Sequence, residues 1–151
     1  MCDLGHDGIW FEWLRFVDAE SAIQLVAIMP EQHLLLAFDL AFAPHDHVFT
    51  VTSHFDNWIG ILNGLKTRGS FDTVLSGHGS PTDRSALDAT TTYLRQGKQT
   101  HARSASAAEY AERMQASFPN RRHPNWIELS SELLYGVVDA YDADAAARSE
   151  P

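Results

Sequence analysis

Residues Ile9–Val17, reading IWFEWLRFV, place the tightest limit on what this chain can become. Side chains alternate across a strand, so Ile9, Phe11 and Trp13 share one face while Trp10, Leu14 and Phe16 share the other. Both faces are apolar, and strands of that kind are usually covered on both sides. Ser21–Met29 forms a second apolar run, and Leu34–Phe38 a short third one, with Pro30, Glu31 and Gln32 as the turn between them.

Beyond residue 50 the hydrophobic period changes. Phe55, Trp58, Ile59, Leu62 and Leu65 recur at helical spacing, with Gly69 as the stop. A short strand over Asp72–Leu75 follows. Thr82 or Asp83 caps a helix whose stripe is Leu87, Thr91 and Leu94. Ser106 and Glu109 form a capping box ahead of Tyr110, Met114 and Phe118. Asn125 with Glu128 marks a last start, with Trp126, Leu129, Leu133 and Val137 as its apolar face. Strands, helix, strand, helices predict one α/β layer, a mixed sheet with helices on one face. We read residues 8–100 as the α/β half of a single domain, 101–141 as a helical tail and 142–151 as a fraying end.

Composition narrows the setting. Eleven Lys and Arg against 20 Asp and Glu give a net charge of −9, which argues against nucleic acid or an anionic membrane as partner. Cys2 is the single cysteine and cannot form an internal disulfide, so a reducing, cytoplasmic setting is expected. With Asp3 and Asp7 near the start, there is no basic opening followed by an apolar run, and no signal peptide is expected.

Eight histidines prompt a search for metal ligands. Ser76-Gly77-His78-Gly79-Ser80-Pro81 follows a short strand and precedes a capped helix. Its glycines let the backbone turn sharply and leave His78 at a strand end facing a cleft. Asp39 ends an otherwise wholly apolar strand, where a buried carboxylate needs a cation or hydrogen-bond donors. The plainer alternatives are a loop histidine bonded to backbone and a strand-end cap.

Taken in order, Leu34–Asp39, Trp58–Leu65, Phe71–Pro81 and the pair Tyr93-Leu94 resemble the C-terminal half of the metallo-β-lactamase superfamily. In that family a strand ending in Asp leads to a helix with a Trp-Ile pair, a Gly-His-Gly-x-Pro loop and a helix with a Tyr-Leu pair. The strand-end acid bridges two zinc ions and the loop histidine binds the second, so the resemblance implies ligand roles for Asp39 and His78. A further ligand lies in an upstream loop. Here Val17-Asp18-Ala19-Glu20-Ser21 resembles the alkyl-sulfatase-related branch, in which a glutamate takes that place, implying Glu20. Zinc accepts carboxylate oxygen as well as imidazole.

The departure from the family is large. Its His-x-His-x-Asp-His motif, which supplies most of the ligands from the N-terminal half, does not occur in this sequence. His45-Asp46-His47 has the histidine spacing, but Val48, Phe49 and Thr50 follow rather than Asp-His. We read it as a loop bordering a cleft, with a solvated loop favoured over a ligand cluster; His45 and His47 are candidate cleft-lining residues. His54 reads as a helix-start residue, and His6, His33, His101 and His123 are assigned no role. No catalytic residue is assigned. The expectation is a truncated relative without hydrolase activity as a lone chain, holding zinc weakly or not at all, with a partial metal or small-molecule site. The alternative is half of a split zinc-dependent hydrolase of ester, sulfate or lactam bonds, completed by a partner carrying the missing motif. In the full fold two sheets pack face to face, so one half leaves an apolar face open. That predicts a homodimer stacked sheet on sheet.

Overall fold

A computed structural model describes residues 2–6 and 9–136. The two-faced apolar run becomes strand β2, Ile9–Val17, flanked by β1 (Cys2–His6) and β3 (Ile23–Met29), with β4 (Leu34–Phe38) and β5 (Thr73–Ser76) completing the sheet. The strand order is β1-β2-β3-β4-β5. The first four pair antiparallel, and β5 joins β4 in parallel after helix α1 (Phe55–Arg68) crosses over. Helices α2 (Ser85–His101), α3 (Ala107–Ser117) and α4 (Pro124–Leu134) follow.

Register explains which face is buried. Leu14, Val26, Ile28, Leu35, Ala37 and Val74 point to one side and pack with Phe55, Trp58, Leu62, Leu65, Leu87 and Leu94 of the helices. On the opposite side Trp13 lies across from Ala27, Arg15 from Leu25, and Val17 from Ile23. Of these, Val17, Ile23 and Leu25 are exposed, as is Ile9, and Phe11 stacks on Trp13 with ring centroids 6.5 Å apart. Among the described residues, no helix covers this second face.

Several expectations shift in detail. β1 was not anticipated. Pro30–Gln32 closes as a 3-10 turn with His33 left-handed at its end. The N-cap of α2 is Arg84, although the Asp83 carboxylate accepts a bond from the Ser85 N–H at 2.7 Å. Ser106 caps α3 by accepting from the Glu109 N–H, while Glu109 reaches back to the Ala105 N–H at 2.8 Å. The last helix starts earlier than Asn125: His123 is its N-cap and Pro124 opens the first turn, where the missing proline N–H costs nothing. The buried stripe is accordingly Ile127, Ser130 and Ser131, and Leu129 is exposed. Val137 lies outside the described residues.

Three helical glycines give a test of this packing. A methyl at Gly97 would lie 3.1 Å from the Tyr110 hydroxyl and 3.3 Å from Phe55, both buried. Gly97→Ala is therefore expected to destabilise by about 1 kcal/mol, the crowding outweighing the helix-propensity gain. At Gly60 and Gly64 nothing lies within 4 Å, and alanine there is expected to stabilise by about 0.5–1 kcal/mol each. Thermal unfolding of the three variants checks both signs.

Candidate functional site

The end of β4 is built to present a carboxylate. A β-bulge falls between Leu36 and Phe38, and Phe38 has φ 47°, a left-handed conformation that bulky residues rarely adopt. The chain turns there, and Asp39 follows. Just beyond, the buried Trp58 indole of α1 donates to the Leu40 carbonyl at 2.8 Å, so the Trp of the Trp-Ile pair anchors the strand end. Thr90 of α2 holds Phe42 by accepting from its N–H at 2.9 Å.

His78 comes to the same place from β5. Its Nε2 lies 3.4 Å from Asp39 Oδ1. The loop reaches this position only because it is glycine-rich. A methyl on Gly77 would fall 2.3 Å from Asp39 Oδ1, and one on Gly79 2.8 Å from Asp46 Oδ2. Gly79 also has φ 91°, a conformation that glycine adopts without steric cost.

Glu20 sits on the loop between β2 and β3, which Asn57 at the start of α1 ties down by donating to the Val17 and Asp18 carbonyls. Burial raises the Glu20 carboxyl above its ordinary value. The negative charge of Asp39 adds to this, and the Gln24 hydrogen bond and His78 pull it back. Gln24 Nε2 donates to Glu20 Oε2 at 2.6 Å.

Whether these residues suit zinc can be judged from donor geometry. Two donors about 2.0 Å from one tetrahedral ion sit roughly 3.3 Å apart, and Asp39 Oδ1 and His78 Nε2 match that spacing. Asp39 Oδ1 is also buried without a hydrogen-bond partner, which leaves a lone pair to be satisfied. Yet among the described residues no three of His, Cys, Asp and Glu are grouped so as to hold a metal ion. Catalytic zinc takes three protein donors and a water. The chain brings two donors together, Asp39 and His78, and that pair does not complete a zinc centre.

The His45-Asp46-His47 stretch is not the solvated loop that its composition suggests. Asp46 and His47 are buried; only His45 has an exposed side chain. Asp46 takes a bidentate pair from Arg122, Nε to Oδ1 at 2.6 Å and Nη2 to Oδ2 at 3.0 Å. The backbone joins as well: Arg122 N–H donates to the His45 carbonyl at 2.7 Å and His47 N–H to the Arg122 carbonyl at 3.1 Å. Ser130 of α4 accepts from the Thr50 N–H. His47 Nδ1 lies 3.2 Å from the Tyr93 hydroxyl, while its Nε2 is buried without a partner. Burial, followed by the positive charge of Arg121, lowers its pKa to about 4. Arg121 itself lies over the Tyr93 and Phe118 rings. The supposed tail therefore forms a wall of the site region. Asp46, Arg122 and Trp126 carried no local signal that would have placed them there.

No protein-family model and no curated protein matches the sequence. Solved structures do. The chain is similar to a beta-lactamase domain protein from Burkholderia ambifaria, with TM-score 0.60 and 13% identity over 95% of this chain and 48% of that one. It is similar to a metallo-beta-lactamase from Pontibacter korlensis, with TM-score 0.57 and 19% identity over 62% and 45% of the two chains. The stereoselective inverting sec-alkylsulfatase from Pseudomonas sp. aligns with TM-score 0.55 and 15% identity over 99% and 27%. The chain spans less than half the length of each of these. Its fold is that of one half of a metallo-β-lactamase sandwich.

Proposed function

We propose that this chain is a metallo-β-lactamase-type half-domain with no hydrolase activity of its own. One observation carries the reading: Asp39 and His78 sit at ligand spacing, but among the described residues no third donor is grouped with them. A zinc-bound hydroxide mechanism needs three protein donors to hold the ion and lower the pKa of its water. The partial site is the Asp39–His78 pair, with Glu20 a further candidate from the loop between β2 and β3. The purified chain is expected to contain far less than one zinc per molecule by elemental analysis. No turnover of ester, sulfate-ester or β-lactam substrates above buffer is expected with added zinc. Stoichiometric zinc, or robust turnover that disappears in His78→Ala, would overturn the reading.

A second reading is favoured by the orphaned Asp39 Oδ1 and the open apolar face together. In it the chain is half of a split hydrolase, completed by a partner bearing the histidine-rich motif. Turnover appearing only on mixing with such a partner would select it. For the chain by itself, we propose a homodimer stacked through the uncovered sheet face. The single cysteine supports a reducing, cytoplasmic setting.

A further inference from the structure

His78 has a second neighbour besides Asp39. The Trp126 ring of α4 meets its imidazole edge to face, with centroids 5.2 Å apart. Trp126 is held in turn. It stacks on His123 at 4.3 Å and 16°, and packs edge-on against the buried Phe42 at 5.9 Å. His123 caps α4 in a left-handed conformation, φ 62°, which is unfavourable for a residue with a side chain. That conformation is held in place by its surroundings: Arg122 beside it is locked to the buried Asp46 carboxylate, and His123 Nε2 lies 3.7 Å from Asp46 Oδ1. The same carboxylate backs the other side of the His78 loop, since Asp46 Oδ2 leaves no room for a methyl at Gly79.

We propose that Trp126 is a positioning residue for His78. It fixes the imidazole against Asp39, and the Asp46–Arg122 pair sets the place and angle of the helix that carries it. A loop of glycines and one exposed histidine has little apolar burial of its own to order it, and such segments sit at the low end of local stability. The indole supplies that order from outside the loop. The role belongs to the tail helices, so the site is built by residues from both ends of the described chain. It goes beyond the proposed partial site and does not depend on what that site binds.

The test is backbone 15N relaxation on the full chain. In the native protein His78 and Gly79 are expected to show rigid order parameters, near about 0.85, falling below about 0.6 when the ring is lost. Trp126→Leu removes the ring while keeping apolar bulk, and Trp126→Phe keeps an aromatic edge and is expected to restore order. Leu129→Ser, an exposed change on the same helix, serves as the control and is expected to leave the loop unchanged. Order parameters at His78 and Gly79 that are the same in Trp126→Leu as in the native chain would overturn the proposal. So would loosening that is equal in Trp126→Phe and Trp126→Leu, because that would mark simple loss of fit. Metal content of the native chain, measured separately, bears on the partial-site reading and leaves this outcome untouched.

Discussion

Leu25→Arg is expected to convert a dimer into a monomer while leaving the fold intact. Leu25 is exposed in the middle of the open sheet face and lies across from Arg15. Strands about 4.8 Å apart, rising about 3.3 Å per residue, give this five-stranded face a footprint on the order of 500 Å². Stacking two copies then removes on the order of 1,000 Å², the lower edge of what stable interfaces bury. A two-fold axis through the face would gather four guanidinium groups in the variant, and like charges in contact cost several kcal/mol. Association should weaken by more than roughly a hundredfold, read by light scattering at micromolar concentration. Circular dichroism should stay native, because the substituted side chain is solvent-facing in the single copy. A native chain that is already monomeric at that concentration would refute the dimer. A native monomer that pairs stably with a chain carrying the histidine-rich motif would favour the split hydrolase instead.

The second large effect is a loss of stability in mild acid, centred on His47. Its imidazole is wholly buried, and burial together with the Arg121 charge lowers its pKa from the ordinary 6.5 to about 4. The unfolded chain takes up the proton first, so stability is fully present above about pH 6.5, falls as pH drops toward 4, and is flat below. The difference corresponds to at most about 3 kcal/mol, a large share of an ordinary domain's total. Glu20 works in the opposite direction, since its raised pKa means that the folded state takes up a proton before the unfolded one does. His47→Phe keeps the ring volume and is expected to flatten the slope in that window. Denaturant unfolding at a series of pH values checks it, and an unchanged slope in His47→Phe would remove His47 as the cause.

Legibility followed the range of the interactions. Ile9–Val17 and Leu34–Phe38 were readable to the residue, because alternation and continuous apolar runs are local signals. β1 was missed: Cys2–His6 alternates only Cys2 and Leu4 with Asp3 and Gly5, too short and weakly apolar a signal, and its strand state is seen in its pairing with β2. The start of α4 was misplaced because Asn125 and Glu128 imitate a cap. Pro124 was the better signal, and with it the stripe rotates from Leu129 to Ile127. The placement of Asp39 and His78 just beyond strand ends was legible from the short apolar runs that precede them. The burial of Asp46 and His47 was not. It depends on Arg122 and Tyr93, which are far away in sequence, and composition alone makes HDH read as a loop in water.

The pairing of Asp46 with Arg122 also sets an order in time. It closes a loop of 76 residues, whereas β4, α1 and β5 meet through neighbouring segments. Closure entropy grows with loop length, and distant contacts bring no return until that cost has been met. The helix–sheet core around Trp58 is therefore expected to form while the strap from Arg121 to Trp126 is still open. His78 acquires its fixed place only when that strap shuts, so in a refolding chain the candidate site is among the last parts to appear, and during unfolding among the first to be lost.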